Sequence, residues 1–198
     1  MMSLYKKNIN IIFLLVIIYA CNDKKNVNYN LELEIINNNF TSIVDTFPFQ
    51  YHTLIPAPND VTYTTRDTVT INLYSKLLPL NKWRDILFLD SNYFKGDEEY
   101  FKLYTTLLGF TDSVNLEIEK IKEIGLYKLI NQTQKIQSKQ ILVGSVIFSR
   151  ICINESANKA IMLVQLNDNS KGEVTKLVLL KKVKEKWVKY KEIKIAIA

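Results

Sequence analysis

Cysteine, histidine and glycine are all scarce in this 198-residue chain, and each scarcity removes a class of chemistry. There are two cysteines, Cys21 and Cys152, and one histidine, His52. Zinc sites of the usual Cys/His kinds need more such ligands than this, so no metal centre of that type is expected. The five glycines stand at 96, 109, 125, 144 and 172, too far apart to cradle a phosphate or build a dinucleotide fingerprint. No G-x-S-x-G nucleophile elbow occurs. Three of the four prolines (Pro48, Pro56, Pro58) fall between Thr41 and Asp60, which marks that stretch as irregular. His52 lies in the same stretch and reads as a structural or surface histidine, not as the base of a triad. Asp97, Glu98 and Glu99 are contiguous, whereas carboxylate-pair hydrolysis needs two acids facing each other across a cleft. The sequence offers no catalytic residue and implies no cofactor.

One long apolar run is present, and it is near the start. Lys6 and Lys7 precede Ile9 to Ala20, a run dominated by IIFLLVIIYA, and Cys21 follows. As a helix those roughly 12 residues would extend about 18 Å, well short of a bilayer core of about 30 Å. A cleavable export signal fits such a run better than a membrane span does. Its last four residues, Ile18-Tyr19-Ala20-Cys21, resemble the lipobox of bacterial lipoproteins. The resemblance implies cleavage after residue 20, diacylglycerol on the Cys21 thiol, and a palmitate-bearing anchor in the cell envelope. Asn22 after the cysteine is the pattern that favours the outer membrane over the inner one. The following NDKKNVNYN is polar and asparagine-rich, so residues 21–39 are expected to form the lipidated cysteine and a polar tether.

If Cys21 carries lipid, Cys152 has no intramolecular partner, and a disulfide framework is excluded. Cys152 sits in the apolar stretch SVIFSRICIN and reads as a small buried hydrophobe. Residues 40–198 suit one domain with its own core.

The rest follows from periodicity. Thr62 to Leu73 is β-branched and suggests a strand or hairpin, and Leu77 to Leu89 is ambiguous around Pro79. Asp97 to Leu108 reads as a helix: acids open it, Gly109 follows it, and Tyr100, Phe101, Tyr104, Leu107 and Leu108 form one stripe. A second helix is expected after Asp112 or Ser113, with Val114, Ile118, Ile121 and Ile124 facing inward. From Ile141 the pattern becomes β: Ile141–Asn154, Lys159–Leu166, Val174–Val183 and Trp187–Ala196, joined by short polar links. Ala160–Leu166 is apolar on both faces and suits the sheet centre, while the last strand is half exposed. The fold class expected is therefore α+β: a helical and irregular N-terminal half packed on a C-terminal antiparallel meander. The closing LVLLKKVKEKWVKYKEI resembles the terminal hairpin of nuclear-transport-factor-2-like and cystatin-like α+β domains, which implies the same class and no site.

Charge is unevenly placed. Residues 21–130 carry a formal −4 and residues 131–198 a formal +8. The C-terminal excess makes Lys181, Lys182, Lys184, Lys186 and Lys189 a candidate patch for anionic lipid or glycan. The alternative is a solvated hairpin whose lysines protect an edge strand. An envelope address disfavours nucleic acid as a partner. The expected role is a membrane-anchored binding or accessory module, with an envelope protein among the partner classes; a lipid-anchored hydrolase of unrecognised type is the alternative.

Overall fold

The computed structural model describes residues 29–44, 69–122, 124–125, 127–131, 141–168 and 172–197. Cys21, His52 and the signal-like run lie outside these residues. The fold is α+β, with helices mainly in the N-terminal half and strands mainly in the C-terminal half.

Helix α1 covers residues 29–44. Leu33, Ile36, Phe40, Ile43 and Val44 recur three or four apart, and all are buried. This corrects the expectation of a polar tether through residue 39: residues 29–39 belong to the folded unit, and the domain begins before residue 40. The polar, asparagine-rich NDKKNVNYN after Cys21 suggested a solvated segment reaching residue 39. In the fold, however, the Asn39 amide is itself buried and donates to the Ile35 and Trp187 carbonyls, at 2.9 and 3.2 Å.

The strands are β1 (Val69–Leu73), β2 (Lys76–Leu77), β3 (Val114–Asn115), β4 (Tyr127–Asn131), β5 (Ile141–Phe148), β6 (Cys152–Ile153), β7 (Lys159–Asp168), β8 (Glu173–Val183) and β9 (Lys186–Ile197). The main sheet has the order β4-β1-β5-β7-β8-β9, with β6 also paired to β7; β2 and β3 form a separate pair. The C-terminal strands pair antiparallel, as their short links require. The N-terminal half also contributes to this sheet, because β1 runs parallel to both β4 and β5.

The sheet is covered on both faces. Alternation along β7 sends Ala160, Met162 and Val164 into one apolar layer, with Phe40, Phe148 and Trp187. Ile161 and Leu163 enter the other, with Trp83, Tyr100, Tyr104 and Leu107. That is why β7 reads as a continuous apolar run: both of its faces are dry. Helix α2 (Glu98–Leu108) provides the second cover, with Glu98 and Glu99 in its first turn as expected. Its buried positions are Tyr100, Leu103, Tyr104 and Leu107, while Leu108 stays exposed.

The helix expected after Asp112 does not form. Val114–Asn115 is a strand, and a single 3-10 turn, Ile118–Lys120, follows. Pairing with β2 and burial of Leu116 and Ile121 override the local helical spacing here. The ambiguous Leu77 to Leu89 segment resolves into the end of β2 and a 3-10 helix, Leu80–Ile86.

Candidate functional site

Helix α1 is held to the sheet by buried charge at both ends. Near its start, Glu32 is 1% exposed and accepts from Arg150 Nε (3.2 and 3.1 Å), Arg150 Nη2 (2.9 Å) and the Ile151 N–H (3.3 Å). Arg150 reaches on to Asp112 at 2.8 Å and lies over the Phe110 ring. Burial pushes the Glu32 carboxyl above its ordinary pKa against the pull of Arg150. At the other end, Lys176 Nζ donates to the Ile43 carbonyl (2.8 Å) and Lys189 Nζ to the Ser42 carbonyl (2.5 Å). Two ammonium groups thus meet the carbonyls of the last turn, where the helix dipole favours cations. Both lysines share Glu192 Oε1, at 3.0 and 2.8 Å. Burial pulls the Lys176 pKa down. Burial alone would raise Glu192, yet the two lysine hydrogen bonds hold it below the usual carboxylate range.

With α1 fixed, the described residues between Leu116 and Gly125 pack along it. The Glu117 N–H donates to the Tyr29 hydroxyl (3.1 Å), and the Lys122 N–H donates to Asn37 Oδ1 (2.6 Å). Gly125, at φ +60°, passes Thr41 so closely that an added Cβ would lie 3.0 Å from Thr41 Cγ2. Between this segment and edge strand β4 lies a cavity of about 490 Å³. Leu116, Ile118, Ile121, Ile124, Tyr127 and Leu129 form its apolar wall; Glu119, Lys128 and Asn131 are its polar margin. Its size and lining are those of a small-molecule or side-chain pocket. Sequence reasoning missed this cavity. The apolar residues were legible, but their supposed helical face would have closed the space that the 3-10 turn leaves open.

The lysines nominated from sequence are divided by the hairpin. Lys189 is committed to Ser42 and Glu192, and Lys182 pairs with Glu185 at 3.2 Å. Lys181 lies 4.7 Å over the Tyr190 ring, and Tyr190 stacks on Tyr100 at 5.8 Å. Lys184 and Lys186 are exposed at and beside the turn. Lys184 and Glu185 have φ of 47° and 65°, which makes the two-residue connection a type I′ turn. Two of the five nominated lysines are therefore engaged with carboxylates, and the charge left for a ligand is at the tip.

Cys152 is buried and free, packed in the second apolar layer; burial pushes its thiol up to about 11. Such a thiol is protonated at neutral pH and makes a poor nucleophile. Asp97 accepts from the Tyr190 hydroxyl (3.3 Å) and Glu99 pairs with Lys159 (2.6 Å), so these acids tie α2 to the sheet. Among the described residues no group of three or more His, Cys, Asp or Glu side chains is placed to hold a metal ion, and no helix is long and apolar enough to cross a membrane. Comparison with protein-family models finds no match, and comparisons with curated proteins and with solved structures find none either.

Proposed function

We propose that this protein is a membrane-anchored envelope lipoprotein whose single α+β domain, a helical and irregular N-terminal half on a C-terminal meander, works as a binding or accessory module. Address and anchor rest on Lys6-Lys7, the apolar run to Ala20, and Cys21. The binding role rests on one observation: the cavity of about 490 Å³ beside β4, with an apolar wall and a polar margin, open between a 3-10 turn and a sheet edge. The buried charged groups support the same reading, since Glu32, Lys176 and Glu192 all face partners that fasten α1 and not the cavity. An apolar side chain or a small apolar ligand matches its wall.

Two measurements test this reading. Metabolic labelling with palmitate should mark the full chain but not Cys21→Ala, and the variant should leave the membrane fraction after signal cleavage. Retention and labelling of Cys21→Ala would refute the anchor. For the module, the protein captured from membranes should bring down a reproducible partner or ligand that Ile118→Asp fails to retain, Ile118 being a half-buried wall residue. Turnover of envelope glycans without any such partner would favour the hydrolase.

A further inference from the structure

The tip of the β8–β9 hairpin projects an alternating lysine and apolar surface. Val183 pairs with Lys186, and Lys181 with Val188, so each rung next to the turn sets one ammonium group against one apolar side chain. Residues two apart on a strand share a face, which places all four side chains together. Tyr190 joins them, since the Lys181 ammonium lies over its ring. The apolar members are partly open to solvent: Val183 is 43% exposed, Val188 36% and Tyr190 44%, the last with one ring face stacked on Tyr100. Lys184 continues the positive charge into the turn. Apolar side chains among lysines are the chemistry of an interface between water and an anionic bilayer, where the apolar groups enter the headgroup boundary and the ammonium groups meet phosphates.

Chain length brings the tip within range. Residues 22–28 number seven, and a trans chain of that length spans at most about 25 Å. From Tyr29 to Asn39 is roughly 15 Å along the α1 axis, and the Asn39 amide donates to the Trp187 carbonyl at the base of the tip. A second copy of the chain is a poor occupant, because face-to-face docking would set lysine against lysine.

We infer that the hairpin tip, Lys181, Val183, Lys184, Lys186, Val188 and Tyr190, is a docking surface for anionic phospholipid headgroups that holds the domain against the bilayer. This extends the lipid-anchor reading: the acyl group supplies attachment and the tip supplies orientation.

The test uses the full acylated protein, Val183→Cys, labelled at that position and reconstituted in phosphatidylglycerol or phosphatidylcholine vesicles that carry a headgroup-borne quencher. Buried Cys152 does not compete for the label. Quenching should be strong with phosphatidylglycerol, weak with phosphatidylcholine, and lost as salt shortens the Debye length well below 10 Å. Adding Lys184→Glu and Lys186→Glu should reduce it at least about tenfold. Adding Lys76→Glu and Lys82→Glu, an equal charge change at exposed positions elsewhere, should leave it intact. Quenching that ignores lipid charge, or that falls equally in both pairs, overturns the proposal. So does a label shielded from both headgroup and aqueous quenchers, which would mean that a protein covers the tip. Loss of the anchor alone has a different signature: the protein no longer sediments with neutral vesicles at high salt, whatever the label reports.

Discussion

Glu192→Gln should be among the most damaging conservative substitutions in the domain. The carboxylate is shared by Lys176 and Lys189, at 3.0 and 2.8 Å, and Lys176 is only 2% exposed. Neutralising it leaves a buried ammonium facing an amide, at the point where α1 ends on the sheet. Breaking a buried pair costs about 3–5 kcal/mol. The Glu192 side chain is 20% exposed, and a glutamine oxygen still accepts from one lysine, so we expect about 2–4 kcal/mol here. In a domain of this size that lowers the melting temperature by roughly 5–15 °C. The pH dependence has a definite sign. The folded pKa of Glu192 is depressed below its ordinary 4.5, so its contribution is fully present above the unfolded value and is lost as pH falls through the folded one. Urea midpoints at neutral pH should therefore separate parent from variant, and the gap should close at strongly acid pH. Lys176→Met in the Glu192→Gln background should recover part of the loss, because it removes a buried charge that has lost the Glu192 carboxylate. A penalty under about 0.5 kcal/mol at pH 7, or one that does not shrink in acid, would refute the latch.

Three further outcomes are expected. Glu185→Gly should stabilise the domain by about 0.5–1 kcal/mol in urea unfolding, because residue 185 occupies φ 65° in a type I′ turn that glycine adopts without strain. Gly125→Ala should destabilise it by about 1–2 kcal/mol, since φ is +60° and the new methyl would press on Thr41 Cγ2 at 3.0 Å; equal midpoints would show that the close approach is relieved at no cost. Cys152 should resist iodoacetamide at pH 8 in the folded protein and react readily in urea. Moving the thiol from 9.0 to about 11 lowers its thiolate fraction on the order of a hundredfold, and peptide mapping of the residue-152 peptide reads the difference.

Composition and local pattern were enough to establish the α+β class, helix α2, the central place of β7 and the burial of Cys152. Each depends on a signal contained within one element. Acids ahead of a 3.6-residue stripe make a helix start wherever it is placed, and a run apolar on both faces has only the middle of a sheet in which to lie. Residues 29–44 carried a comparable stripe in Leu33, Ile36, Phe40 and Ile43. The polar stretch NDKKNVNYN ahead of it set the expectation of a tether to residue 39 instead, and nothing local says that Asn39 will find the Trp187 carbonyl 148 residues away. The same holds for Val114–Ile124, whose helical spacing was real and lost to pairing with β2 and to packing along α1. Lysine count could say that the C-terminus was basic. Only the hairpin register, the position of Glu192 and the end of α1 decided which lysines are spent on structure and which stand at the tip beside Val183, Val188 and Tyr190. Charge is a property of a residue. Its availability depends on which neighbours the fold brings within about 4 Å, and that is settled by contacts between residues far apart in sequence.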